Sequence, residues 1–213
     1  MPDNPRVTAV CFDLGGVHVK LAGSWAEALR WAGFGDSPDP KHAARVHSLE
    51  TYNAHELGLI SDADYLEALR AYLGLATADE ALQAHLWVLG EPFTGTHDLV
   101  LQVQAAGLRT GCLSNTEEHH WRRMTGGYYP AVTEIEVKAA SHLLRARKPD
   151  RAIFEAFERL SGFERNSTVY FDDSLMHVEG ARAFGWHAFQ VDPTGDTAAQ
   201  MCRALQDLGI RVH

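Results

Sequence analysis

Residues 7–17 read VTAVCFDLGGV, an apolar run rich in β-branched residues that ends in Asp13, Leu14, Gly15 and Gly16. A short apolar run closed by glycines predicts a buried strand followed by a tight loop. Similar runs are RTGCLS, which ends at Ser114, STVYF, which is followed by Asp172, and HAFQV, which is followed by Asp192. The segment VTEIEV, residues 132–137, predicts a weaker fifth strand.

Helical periodicity fills the spaces between these strands. Apolar residues recur at helical spacing over 97–106, 151–160 and 175–184. Strands that alternate with helices predict an α/β fold, a Rossmann-like parallel sheet with helices on both faces. Ligands of such sheets bind at the carboxyl ends of the strands. In this chain those ends hold Asp13, Ser114 and the pair Asp172 and Asp173.

One region interrupts the alternation. From about residue 23 to 91 the periodicity is helical, over 25–31, 41–57, 62–73 and 78–89, and we find no convincing strand. Gly33, Gly58, Gly74 and Gly90 suit helix ends, and residues 61–64 and 77–80 resemble capping boxes. We predict an inserted helical-bundle cap at 21–93, over the carboxyl edge of a core formed by 1–20 and 94–213.

Composition excludes several classes of function. The chain has 213 residues, of which 46% are hydrophobic and 22% are charged, as in an ordinary globular protein. A net charge of −9 argues against a nucleic-acid partner. No apolar run approaches the ~18 residues of a membrane helix, and the polar start lacks a signal-peptide pattern, so we expect a cytoplasmic protein without membrane association. The sequence does not define an oligomeric state.

The cysteines and histidines give no metal-binding pattern of their own. The three cysteines lack CxxC spacing and are predicted to be reduced thiols. Twelve histidines are scattered along the chain, and only His119 and His120 are adjacent. Successive helical residues point in different directions, so that pair is a poor metal clamp.

The polar groups at the predicted sheet edge suggest phosphate and metal binding. Ser114, Asn115 and Thr116 lie between a strand and a helix, where hydroxyl and backbone N–H groups can hold a phosphate, although a plain helix cap has the same pattern. Asp172 and Asp173 repel each other unless a cation separates them, and Mg²⁺ prefers oxygen ligands. The alternatives are a solvated aspartate pair that caps a helix and, for Asp13, a turn carboxylate.

Four segments resemble, in order, the four motifs of the haloacid dehalogenase-like hydrolase superfamily: FDLGGV, LSNT, KPDRAIF and YFDDSLMHVEGARAFG. The resemblance is greatest to the branch of glucose-1-phosphate-type sugar phosphatases and the amino-terminal phosphatase domain of soluble epoxide hydrolases. The cap segment HELGLISDADYLEAL is similar to the same branch.

This resemblance implies a Mg²⁺-dependent phosphatase that acts on a small phosphorylated metabolite such as a sugar phosphate. Asp13 would be the nucleophile and would form an aspartyl-phosphate. The implied Mg²⁺ ligands are Asp13, the Gly15 carbonyl, and Asp172 or Asp173. The implied phosphate ligands are Ser114 and the Asn115 backbone, and Lys148 would pair with the nucleophile and the phosphate.

The chain departs from the superfamily pattern at several positions. Gly15 replaces the aspartate that usually acts as acid and base, and His18 and Lys20 are the nearby substitutes that we consider. His177 stands where asparagine is common, and Arg145 where glycine is common. Two alternatives therefore stay open: cleavage of a carbon–halogen or carbon–phosphorus bond, and a non-catalytic phospho-ligand-binding protein. The pair Asp172 and Asp173 favours phosphate chemistry.

Overall fold

The structure, a computed structural model, describes residues 6–46 and 50–213. Its main sheet has five strands in the order β5-β4-β1-β6-β7, and every neighbouring pair is parallel. A separate ribbon pairs β2 with β3 antiparallel. The seven strands found in these two ranges are β1 Ala9–Phe12, β2 Val19–Leu21, β3 Leu89–Pro92, β4 Arg109–Ser114, β5 Val137–Ala140, β6 Thr168–Asp172 and β7 His187–Gln190.

The eleven α-helices within the described residues alternate with these strands in the core and follow one another in the insertion. They are α1 Trp25–Trp31, α2 Glu50–Glu56, α3 Asp62–Leu73, α4 Ala78–Leu86, α5 Thr96–Ala105, α6 Glu118–Thr125, α7 Pro130–Glu134, α8 Ser141–Leu144, α9 Arg151–Ser161, α10 Leu175–Phe184 and α11 Thr197–Asp207. The predicted Rossmann-like α/β fold is confirmed.

The central strand shows why the sheet is covered on both faces. Successive side chains of a strand point to opposite faces, so Val10 and Phe12 pack into one apolar cluster with residues of α5 and α11. Ala9 and Cys11 pack into a second cluster with residues of α9 and α10. Because both faces are buried, the strand reads as a continuous apolar run. Cys11, Cys112 and Cys202 are free thiols, as predicted.

The weak strand at 132–137 was placed too early. Residues 130–134 form α7, and β5 begins only at Val137. Pro130 stands at the start of α7, where its missing N–H costs no hydrogen bond. Val132 and Ile135 are three residues apart and both are buried in the same cluster, which matches a helical turn rather than an alternating strand.

The insertion follows the predicted helices with two corrections. The single helix predicted over 41–57 is instead a 3₁₀ turn at Pro40–Ala43 and the separate helix α2, while residues 47–49 lie outside the described part. The helix predicted over 78–89 ends at Leu86, because Leu89 begins β3. Gly90 lies in that strand and is not a helix end. A side chain at Gly90 would meet the Trp31 ring at 3.0 Å, so the glycine permits close packing.

Both predicted capping motifs begin a helix. Thr77 forms a complete capping box with Glu80 at the start of α4. Ser61 accepts from the Asp64 backbone N–H at the start of α3, and its hydroxyl donates to the Asp64 carboxylate. Helices α1–α4, which we call the cap, share an apolar cluster around Trp25 and Tyr65. The boundaries predicted for the cap, 21 and 93, stay predictions.

Among the described residues, none of the helices combines the length and apolar character needed to span a bilayer.

Candidate active site

A buried lysine joins two carboxylates at the carboxyl edge of the sheet. Asp13 follows β1, and Asp172 ends β6, the neighbouring strand. The Lys148 Nζ lies 2.9 Å from Asp13 Oδ1 and 2.7 Å from Asp172 Oδ2. The lysine side chain is fully buried, so the two anions and the cation compensate one another in a region without solvent screening.

The loop that carries Lys148 is tied to the end of β4. The Asn115 side chain donates to the Lys148 carbonyl at 3.0 Å and accepts from the Lys148 N–H at 2.8 Å. Both ends of the Asn115 amide are therefore used to position the lysine. Ser114, the last residue of β4, is buried beside them and lines the same pocket as Asp13.

Asp172 is surrounded by donors. Besides Lys148, its oxygens accept from the Tyr170 hydroxyl at 2.5 Å and from the Ser174 N–H at 2.8 Å, and His177 Nδ1 lies 3.0 Å away. Burial opposes charge on this carboxyl, but Lys148 and His177 outweigh burial and hold the pKa of Asp172 well below its usual range. The oxygens of Asp172 thus already have hydrogen-bond partners, and this carboxylate holds the Lys148 ammonium in position.

Asp13 and Asp173 are the two carboxyls of the site whose pKa values are raised. Burial, together with the neighbouring Asp172, raises the pKa of Asp173 to about 6. Burial also raises the pKa of Asp13 to about 7, against the opposite effect of Lys148. Three carboxylates thus share one ammonium at this edge of the sheet, which favours binding of a further cation, and an all-oxygen donor set suits Mg²⁺.

Gly16 allows Asp173 to approach the loop after β1. Gly16 has φ +71°, and a Cβ there would lie 2.5 Å from Asp173 Oδ2. Gly15 offers no side chain, and a Cβ at that position would lie 2.8 Å from Leu21 Cδ1. The space of the missing acid/base aspartate is therefore partly filled by Leu21.

The two substitutes considered for that aspartate lie outside the pocket. His18 is buried against Phe12, with ring centroids 4.9 Å apart, and burial lowers its pKa to about 3. It is a neutral core residue at neutral pH. Lys20 is exposed, with its Nζ 5.6 Å from the centroid of the Phe93 ring.

A cavity of about 700 Å³ separates the carboxylates from the cap. Tyr52 and Glu56 of α2 line its cap side. Glu56 Oε2 accepts from Arg147 Nη2 at 3.1 Å, and Arg147 Nη1 also donates to Asn53 at 2.8 Å. Burial raises the pKa of Glu56 to about 7, even though Arg147 acts in the opposite direction. This carboxyl can therefore hold or release a proton near neutral pH.

Several residues at this site were assigned no specific role from the sequence. Tyr170 precedes Asp172 by two residues, and this period-two spacing, which places both on one side of β6, is the signal that could have found it. Glu56 and Arg147 are 91 residues apart, and nothing local relates them. The aromatic side chain of Trp25 lies in the apolar core of the cap. Arg145 donates to the Gly58 carbonyl at 3.0 Å, which links α8 to the cap.

The parallel sheet, the cap and the lysine-bridged carboxylates define a capped Rossmann-like α/β hydrolase. The chain belongs to the haloacid dehalogenase-like hydrolase family, whose model matches residues 7–185. The predicted resemblance is confirmed.

A curated relative, Phosphatase MT3486 of Mycobacterium tuberculosis (strain CDC 1551 / Oshkosh), is 27% identical over 137 residues. The match covers 64% of this chain and 63% of the relative, which is less than two thirds of its length.

Two solved structures share the fold. HAD family enzyme bt-2542 of Bacteroides thetaiotaomicron is 23% identical, with a TM-score of 0.77 over 92% of this chain and 98% of that enzyme. It has also been solved in complex with magnesium and inorganic phosphate. The L-2-haloacid dehalogenase of Xanthobacter autotrophicus is 17% identical, with a TM-score of 0.64 over 93% of this chain and 82% of that enzyme.

Proposed function

We propose that this protein is a magnesium-dependent phosphatase that hydrolyses a small phosphorylated metabolite through an aspartyl-phosphate on Asp13. The observation that carries the proposal is the Lys148 ammonium held between Asp13 and Asp172 beneath a cap-lined cavity. The name of the M. tuberculosis relative and the phosphate complex of the Bacteroides enzyme support it.

Asp13 would act as the nucleophile. One carboxylate oxygen attacks phosphorus, the bond between phosphorus and the leaving oxygen breaks, and water then attacks the aspartyl-phosphate to release inorganic phosphate and restore Asp13. Lys148 lies 2.9 Å from Asp13 Oδ1, where it orients the carboxylate and offsets charge on the phosphoryl group.

Asp13, the Gly15 carbonyl and Asp173 would hold the Mg²⁺. Asp172 is the less suitable ligand, because Lys148, Tyr170, Ser174 and His177 already surround it. When bound, Mg²⁺ would neutralise charge shared by the nucleophile and the phosphoryl oxygens.

Ser114 and the Asn115 backbone N–H would bind a phosphoryl oxygen. The Asn115 side chain is engaged with Lys148, so the backbone is the group of Asn115 that is left for this role. Both residues line the cavity, together with Asp13.

Glu56 would donate the proton to the leaving group in place of the aspartate that Gly15 lacks. It reaches the cavity from α2, and its pKa near 7 lets it carry a proton at neutral pH. Arg147 and Tyr52 line the same wall, so the cavity offers a leaving group both polar and aromatic contacts, as a sugar phosphate or similar metabolite would need. The cytoplasmic location stays a prediction.

The first test measures inorganic phosphate released from a panel of sugar phosphates, nucleotides and small phosphorylated acids, with Mg²⁺ or with EDTA. We expect release with Mg²⁺ only. Asp13→Asn should fold normally by circular dichroism and lose at least ~10³-fold in kcat/KM, since no nucleophile remains. Asp98→Asn, on an exposed aspartate, is the matched control.

Three outcomes would contradict the proposal. Halide release from 2-haloacids in EDTA would identify a dehalogenase. Equal phosphate release by wild type and Asp13→Asn would show that Asp13 is not the nucleophile. A thermal shift with phosphate compounds, but no turnover of any of them, would identify a binding protein.

A further inference from the structure

A second set of metal-ligand atoms lies where the cap meets the core. His55 of α2 and His85 of α4 belong to the cap, and Glu117 is the N-cap of α6 in the core. Their side chains are 3%, 0% and 1% exposed. One potential ligand atom of each lies within 4.8 Å of the others. We call these three residues the cap–core cluster.

One ring nitrogen of His55, Nδ1, is a hydrogen-bond acceptor without a donor among the described residues. His55 Nε2 lies 2.8 Å from Asp62 Oδ1, and a carboxylate oxygen can only accept, so Nε2 carries the hydrogen. His55 Nδ1 is then a lone pair. It is buried, has no hydrogen-bond partner among residues 6–46 and 50–213, and lies 4.0 Å from Glu117 Oε2. Two acceptors therefore face each other in a buried region, which is unfavourable unless a cation lies between them.

A change of protonation state at His55 or Glu117 does not readily relieve the contact between these two acceptors. Burial lowers the pKa of His55, so an imidazolium is disfavoured at neutral pH. Burial also opposes charge on Glu117, but His85 and His120 outweigh it and hold the pKa of Glu117 well below its usual range. The hydrogen bonds of the cluster fit the forms that bind a metal, because His55 Nε2 faces the Asp62 carboxylate and Glu117 accepts from the backbone N–H groups of His119 and His120.

Each member of the cluster is oriented by an outer partner. Asp62 fixes His55, and the Tyr65 hydroxyl lies 3.0 Å from His85 Nδ1. Glu117 accepts from the N–H groups of His119 and His120 at 2.6 Å and 2.8 Å. Hydrogen bonds to the second nitrogen of each imidazole and to the carboxylate are typical of protein metal sites.

We propose that His55 Nδ1, His85 Nε2 and a Glu117 oxygen bind one transition-metal ion of the Zn²⁺ class. Two imidazoles and a carboxylate suit Zn²⁺, whereas Mg²⁺ prefers oxygen ligands alone. His85 Nε2 now lies 2.8 Å from Glu117 Oε1, so the ion would take the place of this hydrogen bond, and the ring hydrogen would move to Nδ1 and face Tyr65. With two ligands from the cap and one from the core, the ion would tie these parts together.

The test adds Zn²⁺ to the full chain in the presence of excess Mg²⁺, which occupies the active site. Bound zinc is counted by mass spectrometry after gel filtration, and Co²⁺ is used in its place to record the absorption spectrum of the site. We expect one Zn²⁺ per chain and intense Co²⁺ bands in the visible range. Asp62→Asn should weaken Zn²⁺ binding by about 10–100-fold, the usual effect of removing an outer partner.

Three further variants separate the loss of a metal ligand from general damage to the fold. His55→Gln should abolish the Co²⁺ bands, whereas His97→Gln, on a histidine that is 41% exposed, should leave them unchanged. Asp173→Asn should also leave zinc content unchanged, because the ion is not in the active site. If His55→Gln does not fold, Asp62→Asn decides, since it keeps all three ligands. Absence of bound zinc in wild type, or equal zinc affinity in wild type and Asp62→Asn, would overturn the proposal.

Discussion

Lys148 shows how a single buried charge organises this site. Burial opposes its ammonium charge, but Asp13 and Asp172 outweigh burial and raise the pKa of Lys148, so it stays charged throughout the physiological range. A buried ion is tolerated only when its partners are in place. Asp13 and Asp172 come from neighbouring strands, so the parallel sheet itself supplies the two anions that the lysine requires.

Glu56 is the residue whose protonation should shape the pH dependence of the reaction. A general acid works in its protonated form, so kcat/KM of wild type should fall as the pH rises through about 7, the pKa of Glu56. Glu56→Gln should lose this descending limb. For alkyl phosphates, whose leaving groups need a proton, it should also lose about 10²–10⁴-fold in rate. Measured pH–rate profiles with an alkyl phosphate and with an aryl phosphate test both effects.

Glu67→Gln is the matched control for Glu56→Gln. Glu67 is also a cap glutamate paired with an arginine, Arg70, but its side chain is 62% exposed and outside the cavity. We expect its pH profile to match that of wild type. An unchanged profile in Glu56→Gln, or an equal loss for alkyl and aryl phosphates, would rule out Glu56 as the proton donor.

Among individual residues, the sequence identified those site residues that belong to local motifs. Asp13, Ser114, Asn115, Lys148 and the aspartate pair each follow a strand or a loop motif, and the structure brings them to one edge. Their chemical roles stay proposals. Glu56 and the cap–core cluster could not be found in this way, because their partners are far apart in the chain: His85 and Glu117, for example, are separated by 32 residues.

At the scale of elements, the loop after β1 depends on a glycine for a steric reason. Gly16→Ala would combine a positive φ with a Cβ 2.5 Å from Asp173 Oδ2 and 2.6 Å from Asp173 Cγ, so the carboxyl must move. We expect at least a tenfold rise in the Mg²⁺ concentration needed for half-maximal phosphate release. The backbone strain alone should cost roughly 1–2 kcal/mol of stability.

The variant Gly33→Ala separates the effect of backbone strain from the effect of a collision with Asp173. Gly33 also has a positive φ, +85°, but a Cβ there would meet nothing within 4 Å. Its stability loss should match the strain alone, roughly 1–2 kcal/mol, with an unchanged Mg²⁺ requirement. Equal Mg²⁺ requirements in both variants would show that Asp173 does not hold the metal.

Elements with strong local signals were predicted well, and those that depend on distant partners were not. The predicted helix at 175–184 coincides with α10, and that at 62–73 with α3. The ribbon of β2 and β3 was missed. Each strand is only three or four residues long, and its partner lies some 70 residues away, so neither has a pattern of its own. The helix α7 was missed because it is only five residues long, and because Val132, Thr133 and Ile135 are β-branched residues that favour a strand.

On the scale of the whole molecule, the cap is held to the core by a few buried polar contacts near the cavity. The Ser141 side chain, at the start of α8, is central to them. Its Oγ accepts from the Thr116 N–H at 2.9 Å and lies 2.6 Å from the carbonyl of Glu56 in the cap. One hydroxyl group thus joins the loop after β4, α8 and α2 at the point where Glu56 enters the cavity.

Ser141→Ala should therefore loosen the cap without disturbing the sheet. The Thr116 N–H and the Glu56 carbonyl would lose their buried partner, at a cost of about 1–3 kcal/mol. We expect amide hydrogen exchange in α2 to accelerate about tenfold or more, whereas exchange in α9 stays unchanged. Ser161→Ala is the control, because Ser161 Oγ bonds to the Phe157 carbonyl and the Phe163 N–H, both in the core. That variant should lose similar stability but accelerate exchange in α9. If both variants accelerate exchange in α2 and α9 equally, the cap and the core open as one unit, and Ser141 does not control the cap.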